Sequence, residues 1–236
     1  MKENLLLSII VVTYNAENYL QRLFTSLEAK INLRCEVIII DGKSNDGTMN
    51  IVKDNEHLVN KCISEKDAGI YDAMSKGIAI SEGKFILFLG ADDQLQIDVE
   101  ELGEVLVDER TIYYGYVRLN PSGKEYGGEF SMAKLINRNI CHQSIFYPRA
   151  VFNKHSFNKK YRLMADYALN LDLWKDKEYR FSYINRLISS YSEEGLSSTL
   201  TDMEFKRDIF KIIYRRMGLW GIGIKLLNPI RNFLKI

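Results

Sequence analysis

Several features are scarce or missing in this 236-residue chain. There are only three cysteines, Cys35, Cys62 and Cys141. They are odd in number and far apart, which argues against a disulfide framework and for reduced thiols in a cytosolic protein. There are only three histidines, His57, His142 and His155, and they fit no zinc-ligand spacing. No apolar run approaches the ~18 residues of a membrane span. No glycine precedes Gly42, so the Gly-rich turn of a dinucleotide fold cannot follow the first strand. Charge of one sign is missing too. The formal net charge is +1, from 32 basic and 31 acidic residues, without the basic excess of a nucleic-acid binder. No internal repeat or low-complexity tract is present.

What remains is ordinary for a globular protein, with 46% apolar and 27% charged residues. The length suits one large domain, or a domain with an appendage, and needs no disulfide or metal staple. The opening Met1-Lys2-Glu3-Asn4 carries an acid and leads straight into an apolar run, so no cleavable leader is expected.

The first hundred residues alternate between two periods. Leu5 to Val12, Cys35 to Ile40, Lys61 to Glu65 and Phe85 to Leu89 read as strands. Leu20, Leu23, Phe24 and Leu27 form a helical stripe, with Asn15 as its expected cap. Gly42 to Thr48 opens a second helix, and Ile70, Ala73, Met74, Gly77 and Ile78 mark a third. Such alternation predicts a mostly parallel sheet covered on both faces, with ligands beyond the carboxyl ends of the strands. The polar clusters Thr13 to Asn15, Asp41, Glu65 to Asp67 and Asp92-Asp93 all fall at such ends. The second half is less regular. Ile112 to Leu119 and Tyr126 to Phe130 suggest a hairpin around Asn120 to Gly123. Met132 to Arg138 suggests a short helix. Leu163 to Lys175 suits either a helix or a strand, and Phe205, Ile209, Ile212, Ile213 and Met217 form a helical stripe.

Gly42-Lys43-Ser44 copies the tail of a phosphate-binding loop, but the required earlier glycine is replaced by Val37, inside a strand. The adjacent pair Asp92-Asp93 is more telling. Two neighbouring carboxylates repel each other unless a cation or hydrogen-bond donors compensate. A hard divalent cation carrying a diphosphate would do so. A simple turn or cap is the competing explanation.

Four ordered blocks carry more information than the pair alone: Ser8 to Asn15, Glu36 to Thr48, Ser64 to Gly77, and Gly90-Ala91-Asp92-Asp93. In order and spacing they resemble family 2 glycosyltransferases, most closely bacterial surface-polysaccharide members. The resemblance covers residues 5 to 95 and, less strongly, 140 to 175. It implies an α/β GT-A fold over residues 1–202, with a nucleotide-sugar half (1–95) and an acceptor half (96–202). It also implies inverting transfer from a nucleotide-diphosphate sugar, usually a UDP-sugar. Thr13, Tyr14, Asn15, Asp41, Asp67 and Asp92 would then line the nucleotide-sugar site, and Asp93 would hold Mg2+ or Mn2+. Asp166, in Met164-Ala165-Asp166-Tyr167, would be the catalytic base. A carboxylate there makes chemical sense, because a sugar hydroxyl must lose its proton as it attacks. His142-Gln143 matches an element on the acceptor side. The absence of Q-x-x-R-W and of membrane helices favours addition of a single sugar. A sugar nucleotidyltransferase would need a Gly-rich basic loop after the first strand, where Thr13-Tyr14-Asn15-Ala16 stands. Ala91 and Ala165, in place of usual acids, leave room for a degenerate nucleotide-sugar-binding protein.

The charge distribution points to anionic partners. Between Glu129 and Asp166 there is no acid, but there are Lys134, Arg138, Arg149, Lys154, Lys159, Lys160 and Arg162. Such a field suits a lipid-diphosphate-linked saccharide acceptor. The segment 203–236 has eight basic and two acidic residues, a balance of +6 against −5 for the rest. Ile222, Leu226, Leu227, Ile230, Phe233 and Leu234 share one side of a wheel, opposite Lys225, Arg231 and Lys235, with a kink expected at Pro229. These basic amphipathic helices could lie on an anionic membrane surface or pack on the body. The expected location is the cytoplasm, peripheral on the inner face of the cell membrane.

Overall fold

The computed structural model describes residues 5–193 and 201–227. Four strands, β1 (Leu7–Thr13), β2 (Cys35–Asp41), β3 (Lys61–Ser64) and β4 (Phe85–Gly90), form a parallel half-sheet ordered β3-β2-β1-β4. Helices α1 (Leu20–Glu28), α2 (Thr48–Asp54) and α3 (Ile70–Ile80) connect them. The second half adds β5 (Gln94–Leu95), α4 (Val99–Leu102), β6 (Thr111–Asn120), β7 (Glu125–Tyr126), α5 (Met132–Asn137), β8 (Ile145–Pro148), α6 (Ala165–Leu173), β9 (Arg180–Ser192) and α7 (Met203–Leu227). The sheet continues through β8, β6, β9 and β5, with β7 also paired to β6.

Strand period explains the two cores. Ile10, Ile38, Ile40, Ile86 and Phe88 turn to one face, under α3, α6 and α7. Ile9, Val11, Val37, Ile39, Leu87 and Leu89 turn to the other, under α1 and α2. Both faces are covered, so these strands read as continuous apolar runs rather than as alternation.

Parallel pairing of β1 with β2 places Thr13 beside Asp41, and pairing of β2 with β3 places Asp41 beside Ser64. The polar ends therefore meet along one edge. β8 enters antiparallel to β4, with Ile86 opposite Tyr147. That direction carries the preceding 3-10 turn, His142–Ser144, back to the carboxyl end of β4.

Several expectations need correction. Asn15 does not cap α1, which starts at Leu20 with Tyr19 at its N-cap. Asn15 instead has φ 48 and accepts a hydrogen bond from the Asn45 backbone. The hairpin's second strand is only Glu125–Tyr126. The ambiguous stretch is helix α6, and it is buried on almost every side, which erased its period. β9 went unread because its exposure follows no alternation. Lys225, assigned to the polar side of the tail, is buried, and its Nζ donates to Ile136 O at 3.0 Å. Pro229, Ile230, Arg231, Phe233, Leu234 and Lys235 lie outside the described residues.

Candidate active site

The site is built on loops at the carboxyl ends of β1 to β4. The β1–α1 and β2–α2 loops are laced together. Asn15 N donates to Ser44 Oγ (2.8 Å), Ala16 N to Thr48 Oγ1 (2.7 Å), and Gly47 N to Glu17 Oε2 (2.6 Å). This lacing leaves Tyr14 65% exposed above the loop junction. Asp41 lies beneath it and is buried. It accepts from Thr13 Oγ1 (3.1 Å), Ser64 Oγ (2.6 Å), and the backbone and hydroxyl of Ser44. Burial pushes its carboxyl upward, but these hydrogen bonds win and hold it below the usual carboxylate range. Asp41 thus spends its oxygens on shaping the loops rather than facing outward.

Asp67 is the more available acid. It is half-buried, and its Oδ1 accepts from Gly69 N at 2.8 Å. Gly42 brings it close to Tyr14. A Cβ at Gly42 would lie 2.7 Å from Asp67 Oδ2 and 3.2 Å from the Tyr14 ring. Tyr14, Gly42 and Asp67 therefore form one continuous wall.

At the end of β4, Gly90 N donates to Asp93 Oδ2 at 2.6 Å. A Cβ at Gly90 would crowd Asp92 Oδ1 (2.9 Å) and Asp93 Oδ2 (3.1 Å), so glycine lets both acids fold back onto the strand end. Asp93 is 1% exposed, and its Oδ1 is the one buried side-chain polar atom among the described residues without a partner. Burial, and then the like charge of Asp92, push this carboxyl up to about 7, against the pull of Gly90 N–H, His142 and Gln143. A buried oxygen lacking a donor, beside a second carboxylate, fits a hard cation whose other ligands come from a diphosphate and water. No group of three or more His, Cys, Asp or Glu that could hold a metal ion is found among the described residues. The protein side of such a site would therefore be limited to this acidic pair.

Asp166 lies in the first turn of α6 and is 4% exposed. Four donors surround it. Tyr71 OH (2.7 Å) and Tyr167 N (2.8 Å) reach Oδ1, while Asn139 Nδ2 (2.9 Å) and His142 Nδ1 (3.2 Å) reach Oδ2. Burial and the Asp166 charge raise the Tyr71 phenol well above its usual value, so it keeps its proton and donates. The network continues inward, with Asn170 Nδ2 donating to Asn139 Oδ1 (2.9 Å) and Tyr147 OH to Asn170 Oδ1 (2.8 Å).

His142 joins the two halves. Its side chain is 18% exposed and lies 3.2 Å from Asp166, and its turn packs against β4, whose end carries Asp93. Gln143 is buried and accepts from Cys141 Sγ at 2.8 Å. Thr13, Tyr14, Asn15, Asp41 and Asp67 thus form one group, and Asp92, Asp93, His142, Gln143 and Asp166 a second beside it. Tyr71 and Asn139 escaped the sequence reading. Tyr71 lay inside the third motif block, as part of a helical stripe that looked purely structural. Asn139 carried no signal at all.

Three lysines of the acid-free basic stretch are paired with acids from elsewhere in the chain. Lys154 pairs with Glu178, Lys159 with Asp72, and Lys160 with Glu204 and Asp208. Lys134 Nζ donates to Gly127 O and Glu129 O. Of the residues nearest the site, Arg138 remains exposed, with its guanidinium 3.9 Å from the Tyr126 ring centroid.

A parallel half-sheet whose polar strand ends meet along one edge, continued by a second half that enters antiparallel, is the architecture of GT-A glycosyltransferases. The glycosyl transferase family 2 model matches residues 8–169, and the chain belongs to that family. The chain is 33% identical over 209 residues to a PGL/p-HBAD biosynthesis glycosyltransferase of Mycobacterium tuberculosis, covering 84% of this chain and 81% of that one. It is 27% identical over 231 residues to the hyaluronan synthase of Pasteurella multocida, covering 92% of this chain but 24% of that protein. Among solved structures, S. aureus TarS 1–349 in complex with UDP-GlcNAc superposes with a TM-score of 0.71 at 21% identity, covering 93% of this chain and 70% of that one. The mannosyltransferase PcManGT from Pyrobaculum calidifontis, in complex with GDP-Man and Mn2+, gives 0.63 at 12% identity, covering 94% and 73%.

Proposed function

We propose that this glycosyltransferase moves one sugar, with inversion, from a UDP-sugar to a hydroxyl of a lipid-diphosphate-linked saccharide. The step would belong to surface-polysaccharide assembly. The observation that carries the reading is an unsatisfied strand-end carboxylate on β4 with a buried acid–imidazole cluster brought to it by the turn that packs against β4. The uracil would rest on Tyr14 against the Gly42–Asp67 wall, and Asp92 would face the ribose. Asp93 would hold Mg2+ or Mn2+, and the cation would stabilise the charge gained by the leaving diphosphate. The proton of the attacking hydroxyl would be taken at the Asp166 cluster, and alignment of the two substrates supplies a further large share of the rate. UDP or GDP-Man in the related structures supports a nucleotide donor, and Mn2+ supports a divalent ion.

Arg138 is the exposed cation best placed for the acceptor's diphosphate. The exposed side of α7 carries Lys206, Phe210, Lys211, Tyr214 and Arg215, followed by Leu219 and Trp220. Cations interleaved with aromatic residues suit the surface of an anionic bilayer, where such an acceptor resides. No helix among the described residues is long and apolar enough to cross a membrane. The deciding experiment is a UDP-release screen of UDP-sugars with Mn2+ and lipid-diphosphate saccharide acceptors. One donor should stand out. Equal silence from every donor, with no thermal stabilisation by UDP plus Mn2+, would refute the reading.

A further inference from the structure

The end of α7 is built inside out. At Gly218 the backbone turns to φ 64 and ψ −158, which breaks the helix, and residues 219–227 form its last turns. That stretch holds one charged residue, Lys225, and it is buried. Leu219, Trp220, Leu226 and Leu227 are between 61% and 85% exposed. Their spacing puts all four on one outer side of the helix. Gly221 faces inward, where a Cβ would lie 2.6 Å from Met217 Cβ and 2.8 Å from Ile213 Cγ2, so glycine lets this stretch close on the first part of α7. A helix in water normally hides its apolar side chains and exposes its charges.

The inner side meets α5. Lys225 Nζ donates to Ile136 O at 3.0 Å. Ile136 lies at the end of α5, where carbonyls lack intrahelical donors and a cation is favoured. The neighbouring Leu135 O accepts from Tyr167 OH at 2.6 Å, and Lys134 O from Arg138 N at 2.9 Å. Directly beyond come Arg138, exposed over the Tyr126 ring, and Asn139, whose Nδ2 donates to Asp166 Oδ2 at 2.9 Å. Burial pulls the Lys225 ammonium down to about 8, so the charge is held there at a cost. The outer side continues the face that carries Lys206, Lys211 and Arg215, and residues 219–227 add no acid to it. Tryptophan and leucines beside such cations complement an anionic bilayer interface.

We infer that the outer side of residues 219–227 docks on an anionic bilayer, and that Lys225 is a positioning residue that passes this docking through the end of α5 to the acceptor side of the site. A bilayer that binds the seated helix favours the Lys225–Ile136 contact, and with it the placement of Arg138 and Asn139. The coupling is reciprocal, so a bound acceptor strengthens membrane docking in turn. The inference rests on the membrane-acceptor reading above.

Empty phosphatidylglycerol vesicles, assayed with a short-chain, water-soluble sugar diphosphate as acceptor, separate coupling from mere co-localisation. In the wild type the vesicles should lower the acceptor KM by about fivefold or more, the low end of typical coupling, and leave the donor KM unchanged. Lys225→Met keeps the apolar stem and lacks the donor. It should still bind the vesicles and still be stabilised by UDP plus Mn2+, but lose the KM response. No response in the wild type, or an equal response in Lys225→Met, overturns the inference. Loss of vesicle binding in Lys225→Met also overturns it, by making the lysine a prop for the helix alone. A second measurement needs neither variant nor turnover. In hydrogen–deuterium exchange of the wild type, the vesicles should slow the amides of residues 136–140 together with those of 219–227. Protection confined to 219–227 overturns the coupling. A dimer in vesicle-free solution that already protects 219–227 overturns the bilayer as occupant. Silence of the wild type with every UDP-sugar refutes the transfer reading instead, and the exchange measurement still decides whether the two segments are coupled.

Discussion

At the scale of single residues, Asp93 stands out among the described residues, its Oδ1 buried without a partner. Its carboxyl is pushed from 3.8 up to about 7 by burial and by Asp92. A raised carboxyl holds its proton more tightly when folded, so between about pH 4 and 7 the folded state binds more protons than the unfolded one. Metal-free protein should therefore lose stability as pH rises through that window, with the full loss present above it. In EDTA, Asp93→Asn should raise the melting temperature at pH 8 and change it much less at pH 5. The same variant should abolish the extra stabilisation given by UDP plus Mn2+. In the wild type that stabilisation should grow from pH 6 to pH 8, because a cation must displace the proton. A melting temperature for Asp93→Asn that is lower at pH 8 than at pH 5, relative to wild type, would contradict this account. Tyr71 supplies a second test. Tyr71→Phe keeps the packing but leaves Asp166 one donor short, which costs roughly 1–3 kcal/mol. Its kcat should fall while UDP–Mn2+ binding stays intact; unchanged melting and kcat would show that the 2.7 Å contact contributes nothing.

At the scale of elements, the site depends on how loops and helix ends are tied. Gly42 and Gly90 permit close approach, and an added methyl would displace Asp67 at the first and both strand-end acids at the second. Gly42→Ala should weaken UDP binding without changing the response to Mn2+ alone. Gly90→Ala should weaken both, as isothermal titration would show. The start of α7 has a subtler part. Asp202 accepts from Phe205 N (3.1 Å) as a helix cap, and also from Leu163 N (2.9 Å) and Met164 N (3.2 Å), just before Asp166. Cap loss alone typically costs ~1 kcal/mol, and here two further backbone donors lose their acceptor. Asp202→Ala should lower both the melting temperature and kcat, with little effect on UDP–Mn2+ binding. If melting falls while kcat holds, the helix end stabilises the fold but does not position Asp166.

At the scale of the whole molecule, the near-zero net charge is a sum of unlike regions, and the fold rearranges them again. Lys154, Lys159 and Lys160 of the basic stretch are paired with acids from α3, α7 and the segment before β9. The tail is divided too. Phe205, Ile209 and Ile213 bury one side of α7, while Phe210, Tyr214, Leu219 and Trp220 stay exposed. Trp220→Ser combined with Leu219→Ser should therefore reduce co-sedimentation with phosphatidylglycerol vesicles about tenfold or more, since each buried apolar side chain contributes roughly 1.5–3 kcal/mol. Melting should stay near wild type, because neither side chain packs on the body. Equal sedimentation of variant and wild type would remove the membrane from the proposal.

The parallel half-sheet was legible from residues alone, because strands buried on both faces leave unbroken Ile- and Val-rich runs ending in polar loops. Short motifs singled out Asp93 and Asp166, and the structure shows the first buried with an unpartnered oxygen and the second buried among hydrogen-bond partners. The rest needed three dimensions. A fully buried helix such as α6 loses its amphipathic stripe, and an irregular strand such as β9 has no period to lose. The partners of Asp166 lie 95 residues away at Tyr71 and 27 away at Asn139. The partners of Lys159 and Lys160 lie 87 and 48 residues away. Hydrogen bonds and ion pairs between elements leave no periodic trace along the chain. Local pattern determined which acids reach the strand ends; only the packing of β8, α3 and α6 decided that Asp166, in the first turn of a helix, meets Tyr71, Asn139 and His142.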